Sequence, residues 1–120
     1  MKEIFDVNTT DIPFYDDLLR NGKGVEIGDI EVVAEIEYMS PDDYFEHCAL
    51  ISKTPIENHY RMISEANMQE LMNAIEKKKL PIGFLNYALE WQEGRHRALL
   101  AKRIGMTSIP VLIIKPIEKT

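Results

Sequence analysis

Five consecutive residues of this 120-residue chain could do chemistry together: Glu93, Gly94, Arg95, His96 and Arg97. An acid precedes a glycine; two fixed cations and a titratable imidazole follow it. Glycine permits a sharp turn and lets a ligand approach the backbone. The residues after it, through Leu99, Leu100, Lys102 and Arg103 to Gly105, read as a helix. The first N–H groups of a helix have no acceptor within it. With the positive end of the macrodipole they attract anions. Guanidinium groups bind phosphate through paired donors. The pattern therefore points to a phosphate cradle. The bland alternative, a basic helix start on a solvated face, sets cations against the dipole. A stretch that breaks a local rule is more often functional than an average one.

The elements around it must position this turn. Phe84 to Trp91 reads as a strand that delivers the Glu93-Gly94 turn, with Trp91 packed under the motif. In the helix Arg95–Ile104, Leu99, Leu100 and Ile104 face the core, and Gly105 ends it. Ile109 to Ile114 is rich enough in β-branched residues to be a strand buried on both faces, with Pro110 at its start or an edge. Upstream, residues 1–10 read as irregular. A helix follows to Arg20, with Asp11 as N-cap, Pro13 in its first turn and Phe14, Leu18 and Leu19 on its apolar side. Val25–Ile27 is a short strand and Gly28-Asp29 a turn. Ile30 to Met39 alternates apolar Val32, Ala34, Ile36 and Tyr38 with a mostly acidic face, which predicts a strand. Ser40-Pro41-Asp42-Asp43 starts a helix that carries Tyr44, Phe45 and Cys48 inward and ends near Leu50. Ser52–Asn58 reads as a loop, with His59-Tyr60-Arg61 just before the next helix. That helix spans about Ser64 to Lys79, with Met68, Leu71, Met72 and Ile75 on one side and Lys77–Lys79 at its C-terminal end. Leu80-Pro81 stops it, and residues 115–120 form a polar tail.

Composition bounds the answer. The length suits one domain with a modest core. Hydrophobic residues make up 45% and charged residues 28%, a soluble globular balance. No apolar run approaches the ~20 residues of a membrane span, and Met1–Asp6 lacks the apolar core of a signal peptide; a cytoplasmic location is expected. Cys48 is the only cysteine, so no internal disulfide or cysteine-rich zinc site is expected. Its simplest role is a small buried apolar residue. The net charge of −6 is unevenly spread: residues 1–46 hold thirteen acids and three Lys/Arg, residues 47–120 seven and eleven. Indiscriminate coating by nucleic acid is not expected, but a focused positive pocket in the second part suits a nucleotide.

Glu93-Gly94-Arg95-His96-Arg97-Ala98, the helix ending at Gly105 and Ile109-Pro110-Val111 resemble the ParB/sulfiredoxin-like superfamily. So do Met39-Ser40-Pro41 after a strand and the amphipathic helix through Leu71 and Ile75. The likeness spans about residues 30–114, which makes 1–29 an N-terminal extension packed on the domain and 115–120 a tail. It implies an α/β (α+β) fold with a small mixed sheet flanked by helices, and a nucleotide as ligand. That ligand is CTP in ParB proteins and an adenine nucleotide in sulfiredoxins and free serine kinases. Carried over by position, Gly94 would admit a phosphate, Arg95 would be a charged contact, and His96 and Arg97 would grip phosphate oxygens. Glu93 sits where kinase-like relatives have an acid, and His96 beside it is the second candidate for catalysis. Glu93 would orient a water on a bound Mg²⁺ or act as base, or it would simply pair with Arg95 or Arg97. The implied cofactor is a nucleoside triphosphate, CTP or ATP, with Mg²⁺, and the implied activity a weak hydrolysis or phosphotransfer.

Departures narrow this. Arg95 stands where sulfiredoxin-like members place their reactive cysteine, which argues against sulfinate reduction. The chain stops at Thr120 with no helix-turn-helix module, against specific operator binding. What remains resembles stand-alone ParB-like domains of phages and mobile elements, some of them labelled nucleases. A nonspecific DNA-binding or nuclease protein is thus the second reading, and a non-enzymatic interaction module, with a homodimer as one form, the third. Glu35 and Glu37 could lie near the pocket mouth but read more simply as a solvated strand face. His47 and Cys48 are adjacent, the wrong spacing for a shared metal; no protein metal site is expected. His59 and Arg61 precede the Met68 helix in a loop that often approaches the nucleotide in this superfamily, without a residue-specific match.

Overall fold

The apolar strand near the C-terminus is the middle of the sheet. A computed structural model describes residues 3–117. Their elements are β1 (Phe5–Asp6), α1 (Pro13–Asn21), β2 (Lys23–Ile27), β3 (Ile30–Met39), α2 (Pro41–Ser52), α3 (Ile56–Arg61), α4 (Glu65–Ala74), β4 (Leu80–Pro81), β5 (Gly83–Asn86), β6 (Trp91–Glu93), α5 (Arg95–Arg103) and β7 (Ile109–Pro116). The fold is α+β. A five-stranded mixed sheet runs in the order β2-β3-β7-β5-β6, and β1 pairs with β4 as a separate parallel ribbon. β7 lies antiparallel to β3 and parallel to β5. Its residues Ile109 to Ile114 are all buried, as β-branched side chains between two covered faces should be. No described helix is long and apolar enough to cross a membrane.

The register sorts the sheet's faces. Ile36, Leu112, Phe84 and Glu93 are cross-strand neighbours and share one face. Helix α1 covers it: Tyr15 stacks on Phe84 at 3.7 Å. Leu85 pairs with Ile113 and Gln92 on the other face, toward α2 and α5. Pro110 costs no hydrogen bond to β5, because the β5–β7 ladder begins at Val111. Ser40 caps α2 by accepting from the Asp43 amide at 3.0 Å, with Pro41 in the first turn.

Several expectations are corrected. Phe84–Trp91 is a hairpin, not one strand. Asn86 is fully buried, and its Oδ1 accepts from the Ala88 and Leu89 amides, each at 3.0 Å. This side chain folds the chain back after four residues of strand. Asp11 does not cap α1; Ile12 is the N-cap residue, with no side-chain bond. Within α1 it is Tyr15 and Leu18 that are buried, while Phe14 is exposed. The stretch Ser52–Asn58 runs into α3, which contains His59-Tyr60-Arg61. Helix α4 ends at Ala74, so Lys77–Lys79 lie in the turn beyond it, and Leu80-Pro81 is strand β4. The latter pairs with Phe5-Asp6, in a region that the sequence suggested was irregular. Lys115 and Pro116 continue β7 rather than begin a tail; residues 118–120 lie outside the described ones.

Candidate functional site

Strand β6 ends at Glu93 and α5 begins at Arg95, so Gly94 is the N-cap residue of α5. Its φ of 126° is one that L side chains rarely adopt. A Cβ there would sit 2.9 Å from the Gly83 Cα and 3.1 Å from the Tyr44 hydroxyl. The missing side chain therefore makes room for β5, beneath the turn. The sharp turn expected at Gly94 is there, and this close approach is a further reason for a glycine. The first helical bond is from the Ala98 amide to the Gly94 carbonyl at 2.9 Å. The amides of Arg95, His96 and Arg97 precede it and have no helical acceptor.

A cleft of about 400 Å³ opens beside this turn. All five motif residues, Glu93 to Arg97, line it. The opposite wall comes from α4 and the turn after it, through Glu70, Leu71 and Lys78, and Asp11 approaches from the N-terminal segment. Three cations (Arg95, Arg97, Lys78) face three acids (Asp11, Glu70, Glu93). The cleft is thus balanced in formal charge rather than purely positive.

Each basic residue of the motif already has a protein partner. Arg97 is buried, with its side chain 8% exposed, and its Nη1 donates to Asp11 Oδ2 at 2.6 Å. Arg95 Nη1 donates to His59 Nδ1 at 3.0 Å. A guanidinium has no acceptor, so His59 carries its proton on Nε2, which faces Ser52 Oγ at 2.8 Å. His59 is 3% exposed; burial, and then the Arg95 charge, push its pKa down. His96 Nε2 accepts from the Ser64 amide at 2.9 Å, which ties the start of α5 to the start of α4. This bond puts the imidazole proton on Nδ1. Burial first, then Arg95 and Arg97, hold His96 below its ordinary pKa, which favours the neutral ring; with Nε2 already accepting, that ring offers an Nδ1–H donor and no free lone pair.

Glu93 differs from its neighbours. Its carboxylate has no hydrogen-bond or ion-pair partner among the described residues, so the pairing with Arg95 or Arg97, one of the alternatives for it, does not form. It shares a sheet face with Phe84, and its charge, after burial, helps raise the Tyr15 pKa. Cys48 is fully buried, and burial pushes its thiol up to about 12, which removes it as a nucleophile. Among the described residues no group of three His, Cys, Asp or Glu could hold a metal.

Other candidates lie elsewhere. Glu35 and Glu37 line a shallow hollow of about 30 Å³ with Val33, Ile113 and Lys115, which shares no lining residue with the cleft. Trp91 is 46% exposed and packs edge-on to Phe84 at 5.1 Å, beside the motif and not under it. His47 bonds Tyr87 through Nδ1. Asp11, expected as a helix cap, and His59, expected without a residue-specific match, become partners of the motif's arginines instead. Asp11 reaches across 86 positions and His59 across 36, and only tertiary contact brings either to its arginine. Comparison with family models, curated proteins and solved structures finds no match to this chain.

Proposed function

We propose that the chain is a ParB/sulfiredoxin-like nucleotide-binding domain whose cleft takes the phosphates of CTP or ATP at the start of α5. The observation that carries this reading is the coincidence of three things: free helix-start amides at 95–97, the guanidinium groups of Arg95 and Arg97, and a cleft of about 400 Å³ lined by both. That volume lies in the range of small-ligand pockets, roughly 300–1,000 Å³. Amides and guanidinium groups are the donors that fixed phosphate oxygens require. The motif's likeness to the superfamily supports the same ligand class. The unpaired Glu93 is placed to accept a proton from a water attacking a phosphate, with the neutral His96 beside it in the cleft wall. Weak hydrolysis or phosphotransfer is the activity this arrangement suits.

Calorimetric titration with CTP, ATP, ADP and GTP in the presence of Mg²⁺ tests the reading. Binding of at least one is expected, weakened by ~1.5–3 kcal/mol in Arg97→Ala if the guanidinium makes a charge-assisted bond to phosphate. No binding of any nucleotide at millimolar concentration would sink it. The balanced charge of the cleft and the net charge of −6 disfavour a long nucleic-acid track. A plasmid-nicking assay with Glu93→Ala as control checks that second reading: cleavage lost in the variant would favour it over nucleotide chemistry.

A further inference from the structure

The Asp11–Arg97 pair is lopsided. The Arg97 side chain is 8% exposed and that of Asp11 is 41% exposed, and both line the cleft. A buried guanidinium needs an anionic partner, because removing it from water without one is costly. An exposed carboxylate has no such need; it can turn to water. The pair is therefore easily broken from the Asp11 side, provided another anion takes its place at Arg97.

The local structure fits that exchange. Asp11 stands just before α1, where the sequence suggests a cap, but its side chain leaves the helix start uncapped and turns to Arg97 instead. The backbone just before it is pinned. The Thr10 amide and hydroxyl both bond Asp16 Oδ1, at 2.6 and 2.7 Å, and the Thr9 carbonyl accepts from the Ile82 amide at 2.9 Å. The Asp11 side chain can thus rotate away without moving the chain that bears it. Carboxylate and phosphate present similar oxygens to a guanidinium.

Resting on the phosphate-binding reading of the cleft, we infer that Asp11 is an internal stand-in for a ligand phosphate. Its carboxylate holds the Arg97 donor that the ligand needs, and a phosphate binds by displacing it. Asp11 thereby sets a threshold: weakly charged anions, such as a single carboxylate or monoanionic phosphate, do not displace it, whereas a diphosphate or triphosphate group does. The residue is a specificity determinant of the site and a side-chain gate on it.

The test is calorimetry with inorganic pyrophosphate and with acetate on wild type, Asp11→Asn and Asp11→Glu, with thermal melts of each. The asparagine keeps size and an acceptor while it removes the competing charge. A like charge within contact distance opposes the ligand by an amount that, after solvent screening, corresponds to about tenfold in affinity. Asp11→Asn is expected to bind pyrophosphate about tenfold more tightly than wild type, and Asp11→Glu no more tightly. If Asp11→Asn melts below the assay temperature, addition of pyrophosphate is expected to restore its folded transition; failure to do so, with Asp11→Glu folded, overturns the inference. Unchanged or weaker binding by Asp11→Asn, with wild type binding normally, also overturns it and leaves the nucleotide reading standing. No binding of pyrophosphate by wild type or variant removes both.

Discussion

Replacing Gly94 by alanine separates two reasons for that glycine. If it served only a ligand's approach, the variant would fold normally and lose binding. The geometry calls for a loss of stability as well. A φ of 126° lies outside the regions open to residues with a Cβ, and holding one there costs about 1–3 kcal/mol. The new Cβ would also meet the Gly83 Cα at 2.9 Å, a backbone atom that cannot rotate aside, and the buried Tyr44 hydroxyl at 3.1 Å. Overpacking of that kind costs a further ~1–3 kcal/mol. A loss of about 2–6 kcal/mol follows, a large share of the ~5–15 kcal/mol that holds a domain of this size. Urea unfolding should show it as a lower midpoint at unchanged slope, and calorimetry as a fall of roughly 8–20 °C in Tm. Gly83→Ala approaches the same contact from below, its Cβ 2.6 Å from the Glu93 carbonyl oxygen. Because both changes push one backbone crossing apart, the double variant should lose less than the sum of the two. A Gly94→Ala variant within about 1 kcal/mol of wild type would refute this account, since neither the strain nor the crossing would then matter.

Other outcomes follow from the same coordinates. Leu100→Ala, at a fully buried position of α5, should cost about 3–5 kcal/mol by cavity formation; urea unfolding measures it, and a loss below ~1 kcal/mol would mean that α5 is not packed as described. Arg97→Met keeps the buried stem and leaves the half-exposed Asp11 free to hydrate, so it should change stability by less than ~1.5 kcal/mol, whereas Asp11→Ala strands a buried charge and should cost about 2–4 kcal/mol. Equal losses would contradict the lopsided pair. His59 and His96 both have pKa values held below their usual 6.5 in the fold. The unfolded chain therefore binds protons first, and their contribution is complete above about pH 6.5–7 and falls as pH drops toward the lowered values. Melting curves between pH 7.5 and 5 should show Tm falling, with less of a fall in His59→Gln; a Tm flat across that window would exclude the neutral, bonded imidazoles.

Local pattern reaches as far as local causes do. The alternation of Ile30–Met39, the Ser40-Pro41 start and the Gly94 and Gly105 ends of α5 follow from periodicity and capping, and the structure has all of them. The Phe84–Trp91 hairpin was hidden because its turn depends on the buried amide of Asn86, not on a Gly or Pro. Helix α4 is shorter than its pattern because Ile75 and the lysines after it extend the period past the last helical turn. Strand β1 has no local signal because two residues carry no period; only pairing with Leu80-Pro81 makes them a strand.

The site shows the same division more sharply. Residue types at 93–97 point to an anion, and the cleft does lie beside them. What sequence cannot supply is the wiring: Arg95 to His59, His96 to the Ser64 amide, Arg97 to Asp11. That wiring changes the physical argument. An open cradle of bare cations would bind many anions. A cradle whose cations are already bonded binds only what offers more than it displaces, so selectivity comes from the bonds that must break. Arg97 gives up a bond in which both partners are charged, whereas Arg95 gives up one to a neutral imidazole, so the former is the costlier to break. Discrimination among anions should therefore fall on Arg97, the more buried of the two, while Arg95 remains the easier contact to make.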